Sequence, residues 1–290
     1  MHHRSFLFCS IASIQLLGSC SGQPPAQDGT GLGPVLIVDR TDTTVALRFD
    51  PPHGFERPIE PAGSFGDHLR QLPLLPAGTQ VHLFDGTLKY RQDVHAAVID
   101  MSVGNRDLQQ CADAVMRLRA EYLFANNRKD EIAFAFTSGY NATWKRWRQG
   151  ERIKVQGNKC AWVRSGTPDT SHAQLLRYLG IVFSYAGTLS LQRELDHATP
   201  NDMSAADLRI GDVFIQGGSP GHAVIIVDKA YAPNGRICFL LAQSYMPAQQ
   251  IHVLKNTRQP ELGAWFMLEE HDRLYTPEWT FDWADRRRWP

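Results

Sequence analysis

The sequence predicts an α+β fold, with helices first and an antiparallel sheet after them. Three observations predict it. Leu108, Cys111, Val115, Leu118 and Tyr122 recur at three- and four-residue spacing, as do Leu175, Leu179, Val182 and Phe183, which gives two amphipathic helices. Strand-like apolar runs then crowd the late part of the chain, at 212–216, 223–227, 236–242, 251–254 and 264–268. Asn234-Gly235 between two of them is a two-residue hairpin signal, so the strands join as an antiparallel meander. At 290 residues, 43% apolar and 21% charged, the chain is long and apolar enough for one large core.

Taken in order, residues 34–101 read as a β-rich N-terminal extension. Strands are predicted at 35–38, 44–49, 81–84, 88–90 and 96–101, with Asp85-Gly86 as a turn between the third and fourth. Ser64 starts a short helix that Pro73 stops. Asp107 is the expected cap of the first long helix, with Gln110 at its third position, and 132–136 is a strand. Residues 141–147 read as helical, Asp169-Thr170-Ser171 caps a helix over 172–185, and another helix covers 190–195. No linker interrupts this series, so 34–290 is read as a single domain, an extension to 101 and a Cys/His core over 102–290.

Residues 1–19 have the form of a signal peptide. Arg4 gives a positive start, and the largely apolar run 6–17 is too short to span a bilayer. Leu17-Gly18-Ser19-Cys20 resembles the lipobox of bacterial lipoproteins. That resemblance implies lipidation at Cys20, a flexible tether over 20–33, a membrane partner through the lipid, and an exported protein at the outer membrane or facing the periplasm. Lys plus Arg equals Asp plus Glu at 30 each, which excludes the basic signature of a general nucleic-acid binder. Five cysteines are too few for a disulfide scaffold. After Cys20 the chain holds Cys111, Cys160 and Cys238, an odd number; a Cys160–Cys238 bridge is one allowed pairing.

The most specific chemical constellation is Cys111 near a helix start and His222 at the opening of a strand. A helix N-terminus favours a thiolate, and a nearby imidazole completes an activated nucleophile. Gly211-Asp212-Val213-Phe214 followed by Gly221-His222-Ala223-Val224-Ile225 resembles a stretch of papain-like cell-wall cysteine peptidases of the NlpC and CHAP types. The resemblance implies helices packed on an antiparallel sheet, Cys111 as nucleophile, His222 as general base and acid, and a polar orienting residue on the next strand. Gln243 is the candidate, with Tyr245 as its rival. A tight turn at Asn234-Gly235 would pair Ile226 with Gln243 and leave Gln243 about 13 Å along the sheet from His222 unless a bulge or wider loop intervenes. Gln109 or backbone N–H groups at the helix start are candidate oxyanion donors. The body from 48 to 289 also resembles an uncharacterised family of bacterial secreted lipoproteins, a domain of unknown function. That likeness is carried by Asp107-Leu108-Gln109-Gln110-Cys111-Ala112-Asp113, by the 217–222 loop and by the 243–249 stretch.

Gly217-Gly218-Ser219-Pro220-Gly221 matches a G-x-S-x-G pattern, yet a strand rather than a helix follows it and Pro220 lacks the N–H an oxyanion hole needs. Trp144, Trp147, Trp279, Trp283 and Trp289 read as packing residues rather than a sugar groove. No metal-ligand spacing or cofactor glycine pattern occurs, so neither metal nor cofactor is expected. The reading is a cell-envelope thiol amidohydrolase or peptidase acting on peptidoglycan peptides. Its alternative is a non-catalytic envelope lipoprotein that binds a ligand or cell-wall fragment in the same cleft. Cys20→Ala should abolish incorporation of labelled palmitate; unchanged labelling would remove the lipid anchor.

Overall fold

The computed structural model describes residues 43–197, 207–267 and 273–290. The leader, Cys20, the tether and the strand expected at 35–38 lie outside them. In chain order the elements are α1 (Val45–Arg48), α2 (Phe65–Arg70), β1 (His95–Val98), α3 (Cys111–Ala125), β2 (Ala133–Ala135), β3 (Asn141–Thr143), α4 (Trp144–Trp147), β4 (Glu151–Gln156) and β5 (Lys159–Arg164). They continue as α5 (His172–Tyr185), α6 (Thr188–Glu194), β6 (Asp196–His197), β7 (Val213–Gln216), β8 (His222–Tyr231), β9 (Ile237–Gln243) and β10 (His252–Leu254). Four short strands close the chain: β11 (Phe266–Met267), β12 (Arg273–Tyr275), β13 (Thr280–Asp282) and β14 (Arg286–Arg288). The protein is α+β.

One eight-stranded sheet in the order β1-β10-β9-β8-β7-β14-β6, with β11 also on β9, organises the molecule. Its pairings are antiparallel. β8 and β9 are buried along nearly their whole length, so their sequences are continuous apolar runs rather than alternations. Ala223, Ile225, Leu240 and Ala242 face the helices and pack with Val115 and Leu118 of α3 and Leu179 of α5. Val224, Ile226, Phe239 and Leu241 face the other way and pack with Phe281 and Trp283.

Several elements follow directly from local chemistry. Ser64 Oγ accepts the Asp67 N–H at 3.1 Å and starts α2. Ser171 Oγ does the same for Gln174 at the start of α5, where the sequence had set the boundary. Gly86 and Gly235 both have positive φ, as the Asp-Gly and Asn-Gly turns require.

The β-rich extension is a correction. Within 43–101 there are two short helices, isolated bridges and one four-residue strand, β1, which belongs to the main sheet. Residues 45–48 form a helical turn because the Thr44 hydroxyl caps the Leu47 N–H, and Asp50-Pro51 stops any extension. The expected pair at 81–84 and 88–90 is a turn with a single His82–Leu88 bridge. Residues 141–147 divide into β3 and the one-turn α4, and the β4–β5 hairpin that follows was not foreseen. Cys111, Cys160 and Cys238 are all free thiols.

The register of β8 on β9 also departs from the tight-turn expectation. Ile225 pairs with Ala242 and Ile226 with Leu241, and a bulge then shifts the ladder before Asp228 meets Leu240. The fully buried carboxylate of Asp228 accepts from Arg57 Nε and Arg70 Nε at 2.6 Å each and from the Lys229 N–H at 2.8 Å. This knot ties the early segment to the sheet. Removing its only carboxylate strands two guanidinium groups. Asp228→Ala should therefore destabilise the protein by about 3–5 kcal/mol. A calorimetric Tm drop of roughly 10 °C is expected for a domain of this size; an unchanged Tm would show that the knot contributes nothing.

Candidate active site

Cys111 is the first residue of α3. The expected cap, Asp107, instead lies outside the helix: its Oδ1 accepts from Gln110 Nε2 at 3.0 Å and from the Ala248 N–H at 2.7 Å. Gln110 is the N-cap, and Asp113 Oδ2 accepts its N–H at 3.1 Å. The segment before the helix is fixed to the end of β9 as well. The buried Ser244 hydroxyl lies 2.8 Å from both the Gln109 and the Gln249 carbonyl oxygens. These tethers determine where the helix start sits on the sheet.

Cys111 stands at the end of α3 nearest the 217–221 loop that leads into His222, and both border the same cleft wall. The cleft has a volume of about 470 Å³ and its walls include Asp113, Thr188, Gly221 and Met246. The 217–221 loop forms one side. Gly218 donates to Thr188 Oγ1 at 3.2 Å and Gly217 to Gln192 Oε1 at 3.0 Å. A side chain at Gly221 would meet Thr188 Oγ1 and the Gly218 carbonyl oxygen at 2.6 Å, so only glycine fits there.

His222 opens β8 on the face of Val224 and Ile226, opposite the face against which α3 packs. Its ring lies against Tyr245 (4.8 Å between centroids), Trp279 and Phe281, behind Gly221. Gln243 is in contact with it, the Gln243 Oε1 to His222 Nε2 separation being 2.8 Å. The observed register is what closes the expected gap: it carries Gln243 opposite Val224, one diagonal step from His222.

The proton positions in this cluster follow from its partners. Lys89 Nζ donates to Glu278 Oε1 at 2.7 Å, which holds Glu278 as an acceptor. Gln243 Nε2 therefore donates to Glu278 Oε2 at 2.7 Å. Its second proton faces His252 Nε2 at 3.4 Å, and His252 Nδ1 donates to the Gln250 carbonyl at 2.9 Å. Gln243 Oε1 must then accept from His222 Nε2–H, which leaves His222 Nδ1 as the ring's basic nitrogen. Glu278, Lys89 and His252 were missed in the sequence. Only His252, set among apolar strand residues, carried a signal.

Burial governs the titration of the group. Burial pushes the Cys111 thiol up to about 11, with Asp113 adding to the rise, and this outweighs the helix-start N–H groups that were expected to lower it. Burial likewise drives the Asp113 carboxyl well above the usual carboxylate range. His222 is held down to about 4 by burial, against the Gln243 hydrogen bond, and His252 to about 3. Cys111 and His222 thus stand as thiol and neutral imidazole rather than as an ion pair. Tyr245 packs against His222 with its ring tilted by 58° and does not replace Gln243 as its hydrogen-bond partner. Gln109 does not border the Cys111 cleft; its Oε1 accepts from Arg117 Nη1 at 2.9 Å and it lines a neighbouring cavity. Among the described residues no group of three or more potential ligands could hold a metal ion, and no helix is long and apolar enough to cross a membrane.

The family described as domain of unknown function 4846 matches residues 45–288, and the chain belongs to that family. No curated protein and no solved structure matches the chain.

The low folded-state pKa of His222 has a stability consequence with a definite sign. An unfolded histidine titrates near 6.5, so between about 6.5 and about 4 the unfolded chain binds the extra proton. The contribution is fully present above 6.5 and is lost as pH falls through about 4. It amounts to about 3 kcal/mol at 1.36 kcal/mol per unit. Urea unfolding should show stability declining over this window, with a shallower decline in His222→Asn; parallel pH profiles for the two would refute the assignment.

Proposed function

We propose that this family member is a thiol amidohydrolase or peptidase of the cell envelope, acting on peptidoglycan peptides from a papain-like core. The observation that supports the reading is a helix-start cysteine on the cleft formed by the 217–221 loop, which leads into a histidine whose tautomer is set by Gln243. In the proposed reaction His222 Nδ1 takes the thiol proton as sulfur attacks the amide carbon. The imidazolium then protonates the leaving amine, and water hydrolyses the thioester by the same path in reverse. The free N–H groups at the start of α3 are the oxyanion donors, in place of Gln109. Because the resting pair is uncharged, proton transfer accompanies the attack. Gln243 orients His222 without adding charge. Cys20 would anchor the exported protein at the outer membrane or on the periplasmic side of the envelope.

One observation favours the second reading, a binding lipoprotein. His222 is 1% exposed and lies behind the cleft wall, and Cys111 is buried. A thiol held at about 11 is a poor nucleophile until a ligand rearranges its surroundings.

The two readings separate on turnover. In the hydrolase, Cys111→Ala and His222→Ala each abolish cleavage of a muropeptide, and the double variant is no worse than either. Gln243→Ala should lower kcat by about 10²-fold, within the range usual for an acid–base contribution. In the binding protein, wild type cleaves nothing while a cell-wall fragment still binds, and Cys111→Ala changes only the Tm.

A further inference from the structure

A second cavity, of about 390 Å³, lies beside the Cys111 cleft, and Leu108 and Phe183 form part of the wall of both. The two are therefore neighbouring cavities, the first bordered by the 217–221 loop and the second by α5. Their charges differ. The Cys111 compartment has Asp107 and Asp113 on its walls and no Lys or Arg. The second has Arg106, Arg117 and Arg177 and no Asp or Glu.

The three guanidinium groups are not equivalent. Arg117 is buried and already committed, donating to Glu121 Oε1 at 2.7 Å and to Gln109 Oε1 at 2.9 Å. Arg106 and Arg177 are exposed at the cavity. Among the described residues no carboxylate forms an ion pair with either, although Arg177 lowers the pKa of Asp169, which is not on the cavity wall. Apolar side chains, Leu179 and Phe183 among them, form much of the remaining surface. Cationic groups set beside low-dielectric walls focus a positive potential into the space between them, and guanidinium forks match carboxylate geometry.

We propose that this second compartment is a subsite for an anionic group, a carboxylate on a peptide-like ligand, held by Arg106 and Arg177 while Leu108 and Phe183 hold its apolar portion. A ligand that reaches from one cavity to the other across Leu108 and Phe183 then has polarity: its anionic end points toward α5 and its amide-bearing portion lies at Cys111. The proposal deepens the reading of the Cys111 cleft as the ligand site and rests on that reading, but it holds for a hydrolase and for a binding protein alike.

The test uses equilibrium binding, so it does not depend on turnover. The probes are N-acetyl-leucyl-glutamate and its uncharged counterpart N-acetyl-leucyl-glutamine amide, titrated calorimetrically into the full chain at low salt. The acid should bind at least tenfold more tightly than the amide, and the difference should shrink as salt is raised. It should vanish in the Arg106→Gln/Arg177→Gln variant, whose exposed substitutions leave the fold intact as read by an unchanged Tm. It should survive in Cys111→Ala. A charge preference retained there, in a protein that cleaves no muropeptide as wild type, overturns the hydrolase and keeps the subsite. Equal binding of the two probes overturns the subsite. So does a preference that persists in the double arginine variant, or no binding of the acid at millimolar concentration.

Discussion

Helix α3 is enclosed on almost every side, and that enclosure decides most of what happens around it. Its buried residues include Ala112, Asp113, Val115, Met116, Arg117 and Leu118, which together run right round the helix. That packing extends to its first turn, where Asp113 accepts the Gln110 N–H. The same exclusion of water raises the thiol and the Asp113 carboxyl together. A helix start is usually taken to activate a cysteine. In this protein the desolvation that comes with a fully packed helix is the larger effect.

The polar cluster across the sheet answers the same constraint in a different way. His222, Gln243 and His252 sit on three successive strands, β8, β9 and β10, and all three are buried. Buried polar groups must find partners, and each one here does so without taking on charge. Gln243 is suited to the central position because an amide can accept from one neighbour and donate to two others. An aspartate there would face Glu278 with a like charge. The one formal ion pair, Lys89 with Glu278, is kept at the edge, where it dictates the direction of every hydrogen bond that follows.

How much of this was legible in the sequence depends on how far apart the deciding residues lie. α5 and its cap, α2 and its cap, and the β7-β8-β9-β10 meander are set by near neighbours and were readable from them. Residues 44–49 were misread because an alternating apolar pattern was weighed above a capping threonine. The start of α3 was misread because Asp107 is drawn away by Ala248, a partner 141 positions distant. At the candidate site, Cys111, His222 and Gln243 were visible as residue types in order. The bulge before Asp228, which sets the His222–Gln243 contact, was not. Neither was the second arginine compartment, which joins the 102–106 segment to α5 and has no local signature.

The Lys89–Glu278 pair joins positions 189 residues apart, and Gln243 takes its orientation from the later of the two. A ribosome releases Cys111, His222 and Gln243 well before it releases Glu278. Until that last acid arrives, the amide of Gln243 is free to turn over and the imidazole proton can rest on either nitrogen. The nascent chain therefore carries its thiol and its imidazole in an uncommitted state, and the tautomer is assigned only when synthesis has passed Glu278.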